Sequence, residues 1–158
     1  MTYQQTSLRA PVRWPAWSGA TAVRVLTVAL VVAGLVHLTV GQEHLLESLA
    51  IGIAMLVGAV AQLALAFGVR HGVRSPYLAF AVIALNLGFG IAWFAAITVG
   101  LPVAAHGHDA AVGLAAAHGG LSHSEPVTPL AVVTVSLELA AIAAVLRLRS
   151  SWLQPHRI

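Results

Sequence analysis

Residues 45–69 read LLESLAIGIAMLVGAVAQLALAFGV, with Glu47 near the start and a lone amide, Gln62, in the interior. The run then breaks at Arg70-His71-Gly72-Val73-Arg74-Ser75-Pro76, and apolar sequence resumes at Tyr77. A stretch apolar all round, without strict alternation, reads as a helix surrounded by hydrocarbon rather than a half-buried strand. At about 1.5 Å per residue it is long enough to cross a core of roughly 30 Å. The Arg-bounded link then turns it back as a helical hairpin.

Working outward, three more runs of the same kind appear at 20–40, 77–101 and 127–146. In the whole chain of 158 residues, 59% are hydrophobic and 8% charged, and the mean hydropathy is +0.89. That leaves too little polar surface to cover a soluble globule. In lipid every backbone polar group must bond internally, so continuous apolar runs form helices. The expected fold is all-α: a four-transmembrane-helix, up-down antiparallel bundle spanning 20–146, with an N-terminal segment 1–19, a tail 147–158 and one long loop, 102–126. Short links at 41–44 and 70–76 make consecutive spans antiparallel neighbours.

Charge sets the expected orientation. Arg9, Arg13 and Arg24 flank the first span, Arg70 and Arg74 fill the second link, and Arg147, Arg149 and Arg157 follow the last span. The positive-inside rule then places both termini in the cytoplasm and loop 102–126 outside, in a multi-pass protein of the cell (cytoplasmic) membrane. Glu43, Glu47, Asp109 and Glu125 fall at the outer face, although acids carry little topological weight. Basic residues ahead of an apolar run also suggest a signal peptide, but the run is long and no A-x-A site follows it, so it is read as a retained span. The pI near 10.7 arises from arginines dispersed along the membrane edge, whose expected partner is anionic lipid rather than nucleic acid. Trp14, Trp17 and Trp152 suit an interfacial aromatic belt.

The chain has no cysteine, which excludes disulfides, thiolate ligands and thiol catalysis. No phosphate-binding glycine loop, G-x-S-x-G or H-E-x-x-H motif is present, and no enzyme activity is expected. Eight arginines with no lysine, beside abundant Ala, Val and Gly, suggest a GC-rich bacterial coding bias.

Two places carry side chains suited to metal chemistry. Loop 102–126 holds His106, His108, Asp109, His118, His123 and Glu125 on a Gly-rich chain. Neutral imidazole and carboxylate are common ligands for Zn(II), Cu(II) and Ni(II), and an H-x-H-D cluster followed by two further histidines is chemically adequate for a labile divalent site. The same residues also suit a solvated loop with no ligand, or a pH sensor, since His titrates near pH ~6.5. The second place is the outer end of the first hairpin, where His37, His44 and Glu47 could receive a metal from the loop, with His44 and Glu47 adjacent on the second helix. A structural account of Glu43 and Glu47, at a helix start and beside His44, is equally open.

Within the spans, Glu138 is the main anomaly, because a carboxylate near the bilayer midplane is costly unless protonated or paired. Asn86 lies at similar depth, with Gln62 somewhat nearer the cytoplasm. The three could be a hydrogen-bonded polar core that holds the bundle together, or Glu138 could continue a proton or cation relay from His37. A haem is not expected, since only His37 lies truly within a span.

His37, the turn ending in Glu43-His44, Gly52 and Gln62 on the second helix, Gly100-Leu101-Pro102 after the third, and a Glu in the fourth together resemble small four-span membrane proteins of high-GC Gram-positive bacteria. The resemblance implies a topology and a polar site, and no particular activity; the His-rich loop is the part least expected to be shared. The functional expectation is a metal-handling accessory or transport-associated membrane protein. It would act as a homo-oligomer or beside a membrane partner, since so small a bundle encloses little pathway alone. A structural or assembly subunit of a larger membrane complex is the alternative.

Overall fold

The computed structural model describes residues 18–98 and 127–152, and these form four helices. They are α1 (Gly19–Glu47), α2 (Leu49–Arg70), α3 (Pro76–Thr98) and α4 (Pro129–Trp152). There is no strand among the described residues. All four are long and apolar enough to cross a membrane. Their outward surfaces carry large apolar side chains, including Phe67, Phe80, Phe94 and Leu139, as a lipid-facing bundle requires.

Local chemistry sets the helix ends. Ser18 caps α1 by accepting the Thr21 amide at 3.2 Å. Two later starts share a hydroxyl-Pro pattern: Ser75 Oγ accepts the Tyr77 amide ahead of α3, and Thr128 Oγ1 accepts the Ala131 amide ahead of α4. In both, proline takes the first helical position, where its missing N–H is no loss. The α2 end is closed by Gly72 at φ +78, with Gly72 N–H on the Val69 carbonyl and Val73 N–H on the Gly68 carbonyl. This is a Schellman closure, whose left-handed position glycine adopts without strain.

The first turn lies elsewhere than the sequence suggests. Residues 41–44 are not a link: α1 continues to Glu47, and Ser48 alone separates it from α2. Ser48, extended at φ −150, donates its N–H to the His44 carbonyl at 2.7 Å and accepts the Gly52 amide at 2.9 Å. Gln, Glu, His and Leu at 42–46 are compatible with a helix, and Gly41 is no turn residue but a contact, buried against Met55 and Leu56. His44 and Glu47 therefore belong to α1, not to the second helix. The other spans shift by a few residues, and α4 runs on through Arg147 and Arg149 to Trp152. Trp152 lies just past the membrane-length stretch, which ends at Arg149, and is buried against the core.

Small residues fix the α1–α2 seam. Gly34 meets Leu63 and the Ala59 carbonyl, Gly41 meets Met55 and Leu56, and Gly52 meets the backbone of Leu45. Residue numbers fall on one helix as they rise on the other, so the two run antiparallel at close range. α1 also packs along α4, α3 packs along α4, and the α2–α3 contact is the thinnest. The apolar core, built on Leu26, Leu30, Val82, Ala144, Val145 and Leu148, occupies the end of the bundle that carries Arg70. The polar residues lie beyond it.

Hydroxyls within the helices are satisfied locally. Thr27, Thr39, Thr98, Thr134 and Ser136 each donate to a carbonyl three or four residues back. Such back-bonding lets a hydroxyl sit in hydrocarbon without an outside partner.

Candidate functional site

His37 on α1 and Glu138 on α4, separated by 101 positions in the chain, meet inside the bundle with Nε2 and Oε1 2.9 Å apart. Both are buried. The face of α4 that delivers Glu138 also carries Thr134, Ala141, Val145, Leu148 and Trp152, a spacing of three and four residues that makes one continuous stripe. On α1 the corresponding stripe is Ala22, Leu26, Ala29, Ala33 and His37. Packing these apolar stripes together brings the two ionisable groups into contact.

The imidazole is held on a second side by Phe89 of α3, whose ring stacks on it with centroids 4.0 Å apart and planes 16° from parallel. Phe89 in turn fills the space that Gly58 of α2 leaves open: a β-carbon there would run into Phe89 Cζ. All four helices thus set the imidazole's position. An imidazole–carboxylate pair with a shared proton is either an ion pair or a neutral acid beside a neutral base. Either form carries no net charge, which is what hydrocarbon tolerates.

The second polar contact joins α2 to α3. Gln62 Nε2 donates to Asn86 Oδ1 at 3.1 Å, and Asn86 Nδ2 donates to the Val82 carbonyl at 2.7 Å. Gln62, Asn86 and Glu138 are all buried, but Gln62 pairs with Asn86 and Glu138 pairs elsewhere, so the three do not bond to one another as a single core. Glu138 takes as its partner His37, which the sequence alone places at the outer end of the first hairpin rather than near the midplane.

His44 lies two turns beyond His37 on α1, about 10 Å along the axis, and is half-buried. Glu47 closes α1. No group of three or more His, Asp and Glu side chains able to hold a metal forms among the described residues. His106, His108, Asp109, His118, His123 and Glu125 lie outside the described residues. Phe89 and Gly58 were missed by sequence reasoning. Their only signal is register, with Phe89 one turn from Asn86 and Gly58 one turn from Gln62.

Four apolar membrane-length helices around a buried polar site define a multi-pass integral membrane protein. No family model, curated protein or solved structure matches the chain.

Proposed function

We propose that this protein handles divalent transition metal at the outer face of the cytoplasmic membrane, as an accessory or transport-associated protein. In this reading both termini are inside, and segment 102–126 gathers Zn(II), Cu(II) or Ni(II) through His106, His108, Asp109, His118, His123 and Glu125. The observation that carries the reading is the buried His37–Glu138 contact. A bundle that needs polar contacts only for cohesion is served by neutral amides, and this one already has them in Gln62 and Asn86. An imidazole and a carboxylate can exchange a proton, which amides cannot. Metal binding to imidazoles displaces protons where those are bound, so a proton-exchanging pair within the membrane is a chemically suited companion to a histidine-rich metal segment. His44, on the same helix, is the nearest described imidazole outward of the pair.

The second reading is a structural or assembly subunit of a larger membrane complex. It is favoured by the thin α2–α3 contact, which leaves an open groove of about 660 Å³ lined by Ala61, Ala64, Leu65, Leu78, Ala81 and Leu85. Titration calorimetry separates the two. Zn(II), Cu(II) and Ni(II) are titrated into the detergent-solubilised full chain and into a variant with His106, His108, His118 and His123 all changed to Ala. Micromolar or tighter binding, about −8 kcal/mol or better, that disappears in the variant supports metal handling. Equal heats from both proteins overturn it in favour of the structural subunit.

A further inference from the structure

Gln62 leaves one polar atom unaccounted for. Its side chain is wholly enclosed, its Nε2 donates to Asn86, and its Oε1 accepts no hydrogen bond from the described residues. Turning the Gln62 amide over would set its oxygen against Asn86 Oδ1. Turning both amides would set Asn86 Oδ1 against the Val82 carbonyl and strand the Gln62 nitrogen instead. No arrangement of the two amides satisfies both. The neighbouring backbone N–H groups are committed to their helices. A buried acceptor without a donor costs about 1–3 kcal/mol, and hydrocarbon offers no solvent to relieve it.

The second polar pair lies about one helical turn away along the bundle. Asn86, which holds Gln62, and Phe89, which stacks on His37, are three residues apart on α3, a rise of about 4.5 Å. A water molecule donating on two sides at about 2.8 Å bridges oxygens up to roughly 5.6 Å apart. The Glu138 carboxyl has two oxygens and several lone-pair directions, and the His37 contact engages only Oε1. Exposure rises across the site, from 0% at Gln62 through 1% at Asn86 and 2% at Glu138 to 7% at His37.

We propose that one bound water molecule bridges Gln62 Oε1 and the Glu138 carboxyl, donating a hydrogen to each. It joins His37, Gln62, Asn86 and Glu138, one residue from each helix, into a single hydrogen-bonded network. The amide pair then holds the water, and the water gives the His37–Glu138 pair a proton-exchanging neighbour inside the bundle. This inference does not depend on metal binding by segment 102–126.

Water-edited solid-state NMR on the full chain in lipid bilayers, with ¹³C-labelled Gln, Glu and Val, tests it. The Gln62 side-chain carbonyl carbon, identified by its loss in Gln62→Met, is expected to receive water magnetisation several-fold faster than the Val82 methyls. Transfer at Gln62 as slow as at Val82 overturns the site, and so does equally fast transfer at both, which would mean a flooded interior. Glu138→Leu removes one anchor and is expected to slow transfer at Gln62 several-fold. Gln62→Met gives the reciprocal readout at the Glu138 carboxyl carbon, so the bridge is tested even if Glu138→Leu does not fold. Unchanged transfer at Glu138 in Gln62→Met overturns the bridge.

Discussion

Replacing Gly52 with alanine probes how tightly the first hairpin is closed. A β-carbon at this position would lie 2.6 Å from the Leu45 amide nitrogen and 2.7 Å from its Cα. Ordinary contacts between such atoms are about 3.5–4.0 Å, so α1 and α2 must part locally by about 1 Å. Overpacking of this kind costs about 1–3 kcal/mol. The upper part of that range applies here, because the atoms in the way are backbone and Ser48 alone joins the helices. Alanine's intrinsic helical advantage over glycine, about 1 kcal/mol, would mask part of the effect, so the proper reference is Gly88→Ala, whose β-carbon meets nothing within 4 Å. Both variants are unfolded reversibly in mixed micelles by SDS titration. Gly52→Ala is expected to be less stable than Gly88→Ala by about 2–3 kcal/mol. Equal stability within about 0.5 kcal/mol, the usual spread for a surface substitution, would show that the seam is looser than described and refute the argument.

The other contacts make their own predictions. Asn86→Leu leaves both polar atoms of Gln62 without a protein partner, so it is expected to destabilise more than Gln62→Leu, by about 1 kcal/mol in the same unfolding assay; the reverse order would contradict the pairing. Gly58→Ala pushes on Phe89 and is expected to shift the His37 imidazole ¹⁵N resonances while costing about 1–3 kcal/mol; unchanged resonances would separate Phe89 from the site. A double-mutant cycle on His37→Leu and Glu138→Leu is expected to give a coupling of at least about 0.6 kcal/mol, the average for hydrogen bonds between membrane helices. A coupling near zero would mean the two side chains do not interact. Glu138→Gln is expected to leave metal binding by segment 102–126 intact in calorimetry while altering any metal-linked proton release, and identical proton release would detach the pair from the proposed metal chemistry.

The four helices were legible in the sequence because a span is encoded by an unbroken apolar run, which no local competition disguises. The first reversal was not. Gly41 carries the same letter whether it turns a chain or admits a neighbouring helix, and only the presence of Met55 and Leu56 across the seam distinguishes the two. Glu138, Asn86, Gln62 and His37 stood out individually because polar groups are rare in such runs, but their partnering depends on how stripes on α1 and α4 align over 101 positions. The supporting pair, Phe89 in the notch at Gly58, has no polar signature at all. Segment 102–126 advertises chemistry most openly in composition, and its histidines lie outside the described residues.

The separation of His37 from Glu138 along the chain also bears on assembly. α1 and α2 can close on each other as soon as both are made, through glycine contacts that need nothing from the rest of the protein. At that stage His37 has no carboxylate, and Glu138, not yet synthesised, is followed by only two further turns of the apolar run before Arg147. The last helix therefore brings with it the group that neutralises the first, and its insertion completes a bundle whose early half holds an unpaired imidazole. A chain stopped before α4 would leave that imidazole without its carboxylate, a defect that membrane quality control can recognise by chemistry alone.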